Sequence, residues 1–361
     1  MINNNVAILD AVRDALPWHQ VLDTLPEHMR DVYFYPEYVA LHRFDPATQA
    51  SLFLYRRAEN VWFYPFLLTP ILKVGKCKIE QKMFDIESAY GYGGPLANTE
   101  DINFLAEAHQ AFNQWCVDQN VVAEFVRLHP LLKTEQFLDP NFEVVFDRES
   151  VSLNLARLKN DANLPFDKKA CNMLRRAQGL GILAKAHPVN ECFDQFIGLY
   201  LSNMERFGAA KYYFFGDEYF SSLKKLVNNS GFLVVAQKDG EWLSAAIFLK
   251  GRKWLHYHLS ASDSGKRLPG STNLVLYTGA KIGKGMGLEM LHLGGGLQSD
   301  SKNDSLLKFK QSMASDSHHF FIGKCVHNKE MYMQLRKLWE EQYPSLEPIY
   351  GQRLLCYRYN K

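Results

Sequence analysis

The stretch WLHYHLSASDSGKRLPGSTNLVLYTGAKIGKGMG, residues Trp254 to Gly287, decides how this chain is read. Its apolar run up to Leu259 has the composition of a strand, SASDSGKRLPG that of a loop with two cations, and STNLVLYTGAKIGKG that of a helix opening on small polar residues. Strand, basic loop and helix start in that order bring together free amide N–H groups, the positive end of a helix dipole and the side chains of Lys266 and Arg267. Such a place suits a phosphate or another anion. The GKGMG at Gly283 to Gly287 follows a helix instead of opening one, so it reads as a helix end and not as a nucleotide fingerprint.

Strand alternation predicts that His256, His258 and Ser260 share one face, with Leu255, Tyr257 and Leu259 on the other. Downstream come the strand EMLHLGGG, the helix SLLKFKQSM, the strand HHFFIGKCV, a last helix NKEMYMQLRKLWEEQY and a strand-like tail. Upstream lie the helices DKKACNMLRRAQ, NECFDQFIGLYLSNMERF and DEYFSSLKKLVNN, then the strands GFLVVAQKD and EWLSAAIFLKG. The first part of the chain has a similar order: helical pieces, two adjacent strands, the loop ESAYGYGGPLAN, a helix from Asp101 to Asp118 and the strand VAEFVRLHPLL. Two α/β halves, residues 1–155 and 156–361, are the expected organisation, and 361 residues suit two domains of roughly 150 to 200 residues each.

Composition narrows the partners. A net charge of +2 gives no global field for a polyanion, so nucleic acid is not expected and any basic site must be local. The six cysteines, Cys77, Cys116, Cys171, Cys192, Cys325 and Cys356, form no C-x-x-C pair and flank no histidine cluster, so neither a metal site nor a disulfide framework is expected. No basic leader opens the chain and no run approaches the roughly 20 apolar residues of a membrane span. The expectation is a cytoplasmic protein without membrane insertion.

The pieces YGYGGP, RLHPLL, NMERFGAAKYYFF, HYHLSASD, LHLGGG and DSLLKFK, ordered from Tyr90 to Lys310, resemble the Fem-like, two-domain branch of the GNAT acyltransferase superfamily. The resemblance implies two GNAT-like domains, each a mixed, mostly antiparallel sheet flanked by helices, with coenzyme A held by its pyrophosphate in the second. The loop DSGKRLPGST departs from the usual Q/R-x-x-G-x-G/A pattern, matching only at Arg267 and Gly270. The implied activity is acyl transfer from acyl-CoA to the amino group of a nucleotide-linked amino sugar. Aminoacyl-tRNA-dependent transfer of the Fem type is the alternative, and a non-catalytic module that binds nucleotide sugar or coenzyme A is a third reading.

The resemblance also distributes roles. Leu259, Ser260, Ala261, Lys266, Arg267, Gly270, Ser271, Thr272 and Asn273 would contact acyl-CoA. An ammonium has no lone pair, so a base is needed, and His258 at the acyl-binding strand is the candidate. Lys310, which with Phe309 matches the Phe-Lys pair of Fem-like enzymes, and Tyr257 complete the catalytic candidates. Arg127, His129, Arg175, Arg176 and Arg206 are the groups that could aim at the acceptor's diphosphate. Tyr90 and Tyr92 could flank a base or sugar, Tyr212 and Tyr213 lie beside Arg206 in sequence, and Gly294 and Gly295 would let a ligand approach closely.

Overall fold

The computed structural model describes residues 5–159, 163–208, 214–263, 265–266, 268–297 and 304–360. Arg267, Tyr212 and Tyr213 lie outside them. The chain forms two compact units, one of Met1–Met29, Tyr33–Asp147 and Phe320–Lys361, the other of Arg30–Val32 and Arg148–His319. The expected cut at 155/156 is close to one of these limits, but the last stretch of chain belongs with the first unit. Ile322 to Val326 pair antiparallel with Ala123 to Arg127, and Leu335 and Trp339 are buried with Ile71, Val74, Met83 and Val122. The tail is fixed by Asp85, which accepts from Tyr357 Oη and Arg358 Nε, each at 2.7 Å.

In the first unit the strands Val6–Asp10, Gln49–Arg57, Asn60–Pro70 and Phe84–Glu87 run antiparallel in that order. Phe84–Glu87 is then parallel to Val121–Arg127, with the helix Ile102–Asp118 as the crossover. That helix carries Phe104, Ala108 and Phe112 at helical spacing, and Phe112 packs against the rings of Phe53, Trp62, Tyr64 and Phe66.

The second unit repeats the scheme. Leu183–His187, Gly231–Lys238, Glu241–Lys250 and Trp254–Ser262 form an antiparallel run. Met290–Gly295 lies parallel to Trp254–Ser262 after the helix Ser271–Gly285, and pairs on its other side with the end of Glu143–Asn154. Phe232, Val234, Ala246, Phe248 and Leu255 share an apolar cluster with the helices Lys168–Gly179 and Ser271–Gly285. The alternate residues face the helices Val189–Arg206 and Asp217–Ser230. The expected α/β class, mostly antiparallel sheets flanked by helices, therefore holds in both units. Among the described residues no helix is long and apolar enough to cross a membrane.

Candidate active site

In the second unit, Trp254–Ser262 and Met290–Gly295 pair only at Trp254 with Met290, Leu255 with Leu291 and His256 with His292. Past His256 no register pair joins them among the described residues, and the two strands fork. Backbone groups on the fork side of Tyr257 to Ser262 can then meet a ligand instead of a strand.

Opposite the fork, the ladder with Glu241–Lys250 slips. Phe248 pairs with Tyr257 and Ile247 with Leu259, so His258 is the extra residue of a β-bulge. The bulge changes the expected faces. Ser260 pairs with Ala246, a member of the cluster against which Tyr257 packs, and Ser260 hydrogen-bonds Tyr257. Leu259 pairs with Ile247 on the other face. Ser260 thus leaves the face assigned to it with His256 and His258, and Leu259 leaves that of Leu255 and Tyr257, because alternation fails by one residue at the bulge. His258 is half-buried, its Nε2 at 3.5 Å from the hydroxyl of Tyr219. Tyr257 packs on Phe248, and burial pushes its phenol up to about 12, so it stays protonated.

The helix Ser271–Gly285 starts at Gly270, whose φ of +84° disfavours any residue with a Cβ. A Cβ there would also lie 2.1 Å from the carbonyl oxygen of Met173. Among the described residues no side chain caps the helix start, so its first amides keep the anion-binding character expected of them. Asn273 is buried and turns its amide to Met313 Sδ at 3.3 Å, which withdraws it from the loop. Lys266 is ion-paired with the exposed Glu241, and that hydrogen bond raises its pKa. A solvent-exposed pair of this kind exchanges partners at little cost.

Lys310 is buried on the helix Ser305–Met313, whose start is capped by Asp304. Its Nζ donates to the carbonyl of Gly295 at 2.6 Å, next to the fork. Burial lowers its pKa to about 8, with Asp304 opposing and Arg148 assisting the shift. The glycines that were to admit a ligand admit protein instead. A Cβ on Gly295 would lie 2.8 Å from the carbonyl of Glu149, and one on Gly296 2.1 Å from Asp304 Oδ2. Gly294 follows the register slip between this strand and Glu143–Asn154.

Sequence reasoning missed the group at the fork's base. His256 Nε2 lies 2.8 Å from Asp31 Oδ2, both residues being buried, and the His256 ring stands edge-on to that of His292 at 5.6 Å. Asp31 belongs to a three-residue piece, Arg30–Val32, held in this unit by a bond from the Arg252 amide to the Arg30 carbonyl. Gly251 leaves room for it, since a Cβ there would lie 2.8 Å from the Asp31 Cα. Nothing local in MRDVYF marks Asp31, whereas His292 stands in the quoted LHLGGG and is the register partner of His256.

The remaining arginines spread out. Arg175 and Arg176 are both exposed on the helix Lys168–Gly179; Arg175 bonds Asn172 and edges a cavity of about 250 Å³ with Lys168, Cys171 and Tyr277. Neither faces the fork strands, because Leu174 and Ala177 take the buried side of their helix. Arg206 bonds Asn203 Oδ1 at 2.7 Å and lies over the Phe207 ring. In the first unit Arg127 donates to the Ser88 carbonyl and covers the Phe125 ring. Tyr92 packs edge-on to Tyr33, His129 and Phe320, and the Tyr90 carbonyl accepts from Tyr38 Oη. His129 is wholly buried, its Nδ1 accepting from the Leu132 amide, which is the packing role of a turn histidine and not that of an open phosphate ligand.

By sequence the chain matches no protein-family model and no curated protein. By structure it is similar to FemX, with a TM-score of 0.64 over 83% of this chain and 93% of FemX at 13% identity. The fold is FemX-like. The structure of L-PGS from Bacillus licheniformis is also similar, with a TM-score of 0.52 over 79% of this chain and 86% of that one at 13% identity. Identities this low carry an architecture, and the chemistry has to be argued from the fork.

Proposed function

We propose that this chain is an acyl-CoA-dependent N-acyltransferase acting on a nucleotide-linked amino sugar. In this reading the acceptor is a dTDP-linked amino sugar such as 3-amino-3,6-dideoxygalactose and the cargo is a 3-hydroxybutanoyl group. The observation that carries acyl transfer is the fork beside an uncapped helix start. Edge N–H groups can hold the thioester carbonyl as charge develops on its oxygen, while the amides at Ser271 and Thr272 receive the pyrophosphate.

Both substrates bind together. The acceptor nitrogen attacks the thioester carbon, a C–N bond forms, the C–S bond breaks and the thiolate leaves with the electron pair. His258, directly or through water, takes the proton the nitrogen loses, and Lys310 or Tyr257 supplies one to the thiolate. The net result is one amide and one coenzyme thiol. No acyl-enzyme is needed. The Cys192 and His187 pair, 3.7 Å apart, belongs to the outer strand Leu183–His187 and its following helix, three strands from Trp254–Ser262.

Fem-type aminoacyl-tRNA-dependent transfer is the competing reading, favoured by the likeness to FemX and disfavoured by the net charge of +2. The test follows free thiol on mixing the protein with acetyl-CoA or a short hydroxyacyl-CoA and a set of dTDP- and UDP-amino sugars. Release that depends on the acceptor supports the proposal. Calorimetric coenzyme binding without turnover would support a binding module, and salt-sensitive filter retention of aminoacyl-tRNA would support the Fem-type reaction.

A further inference from the structure

Under the helix Ile102–Asp118 of the first unit, metal-ligating side chains meet inside an aromatic core. Glu124 is fully buried, with His327 Nε2 at 2.7 Å from its Oε2 and the Tyr64 hydroxyl donating to its other oxygen. Cys116, fully buried on the helix, brings its Sγ to the same point. This thiol, a Glu124 carboxylate oxygen and a His327 ring nitrogen lie within 4.8 Å of one another. Cys325 is the register partner of Glu124 on the adjacent strand, and cross-strand partners project from the same face, so a second thiol lies on the face that carries the other donors. Phe112 closes the group, its ring edge-on to His327.

A carboxyl group and an imidazole paired inside an aromatic core are costly to desolvate, a cost that a hydrophobic replacement would avoid. A thiol at the same spot, with a second on the same strand face, adds nothing to that hydrogen bond. All four groups have a common use as ligands of one cation.

We propose that Cys116, Glu124 and His327, with Cys325 as the fourth ligand, form a structural site for a divalent transition metal of the zinc class. Thiolate and imidazole donors select zinc-like ions over calcium and magnesium, which take oxygen ligands. Four protein donors and no open position define a structural site and not a catalytic one. Bond lengths of about 2.0 to 2.3 Å set tetrahedral donors roughly 3.5 Å apart, so the present cluster closes on an ion by side-chain rotation. Each thiol gives up its proton on binding, the bond between His327 and Glu124 is exchanged for two bonds to the metal, and Tyr64 keeps its hold on the carboxylate from outside. Local spacing conceals such a site, because its ligands come from a helix, a strand and the C-terminal stretch that returns to this unit.

The test uses the full chain, tag-free and stripped with a chelator, titrated with Co²⁺. The expected result is a thiolate-to-cobalt charge-transfer band with tetrahedral d–d bands saturating at about one equivalent, displaced by Zn²⁺, and a melting temperature that rises with Zn²⁺. Cys77 is exposed, so Cys77→Ser should leave the band intact, whereas Cys116→Ala, which leaves at most the Cys325 thiolate, should weaken it by half or more. The wild-type titration decides even where Cys116→Ala does not fold. A wild-type chain with no band and no Zn²⁺-dependent stabilisation, or a folded Cys116→Ala that keeps the band at full strength, overturns the site. Since these residues lie in the first unit and the fork in the second, loss of the metal site leaves the acyltransfer reading to its own assay.

Discussion

Each unit carries a crossover helix between two parallel strands, and the two helices begin in opposite ways. In the first unit, Asp101 caps Ile102–Asp118, its carboxylate accepting from the Asn103 amide at 2.9 Å, and the strands it connects stay paired from Phe84 to Glu87, with one register slip after Phe84. A further parallel bridge joins Gly93 to Leu128 beyond them. In the second, Ser271–Gly285 starts on a glycine with no carboxylate, and its strands part after three pairs. A capping carboxylate already occupies the place an incoming phosphate would take, and a closed parallel pair offers no edge to a thioester. Repetition of an architecture therefore does not repeat a site. Only the second copy is open at both features, and the proposed division of labour puts coenzyme A there.

The largest effect expected from breaking that asymmetry is on chemistry. His258→Asn should lower kcat by roughly 10²- to 10⁴-fold with both substrate affinities within a few fold, the signature of a group needed in the transition state and not in binding. Unchanged turnover in this variant from pH 6 to 9 would remove His258 from the mechanism. Next is the helix start. Gly270→Val puts a Cβ against the Met173 carbonyl at a φ that β-branched residues avoid, so the amides of Ser271 and Thr272 should move. Losing even one charge-assisted phosphate contact of about 1.5 to 3 kcal/mol should raise the coenzyme Kd about tenfold or more, as calorimetry can measure.

The pH dependence is a third test. With Lys310 at about 8 in the folded protein against an ordinary 10.5, the folded state releases a proton between those values that the unfolded chain keeps. Stability from this residue consequently rises as pH climbs from about 8 to 10.5, and below pH 8 the buried ammonium is a constant penalty. Activity should run the other way. If the ammonium protonates the leaving thiolate, kcat falls by up to about tenfold per pH unit above 8. Lys310→Arg, which stays charged, should move that limb upward. A limb that stays near pH 8 in this variant would mean that Lys310 does not supply the thiolate's proton.

What could be read from the sequence was what local periodicity encodes. The strand Trp254–Ser262, the helix Ser271–Gly285 and the crossover helix carrying Phe104 and Phe112 stand as expected. The bulge at His258 was not legible, because it exists only in register against Phe248 and Ile247. Nor was Asp31, delivered to His256 from a distant segment and recognisable only through the space left at Gly251. The same non-locality hid the return of Phe320–Lys361 to the first unit. A guanidinium in a sequence does not announce its direction either, and Arg175 and Arg176 lie on the exposed side of their helix.

The smallest effect sharpens the comparison most directly. Asp101→Ala removes the carboxylate from the first crossover helix and makes its start resemble that of Ser271–Gly285. Asp101 also faces Arg57 at 3.5 Å, but both side chains are well exposed and that pair adds little. The lost cap should cost about 1 kcal/mol, within the 0.5 to 2 kcal/mol range of such substitutions, and lower the melting temperature by about 2 to 4 °C. Coenzyme stoichiometry should stay at about one per chain and its Kd should not change, because freeing amides supplies only half of what the second unit has. The parallel strands beside this helix remain paired, so no edge opens for an acyl group. A second equivalent of coenzyme bound by Asp101→Ala would mean that the carboxylate alone had been excluding it, and that the fork is not what separates the two units.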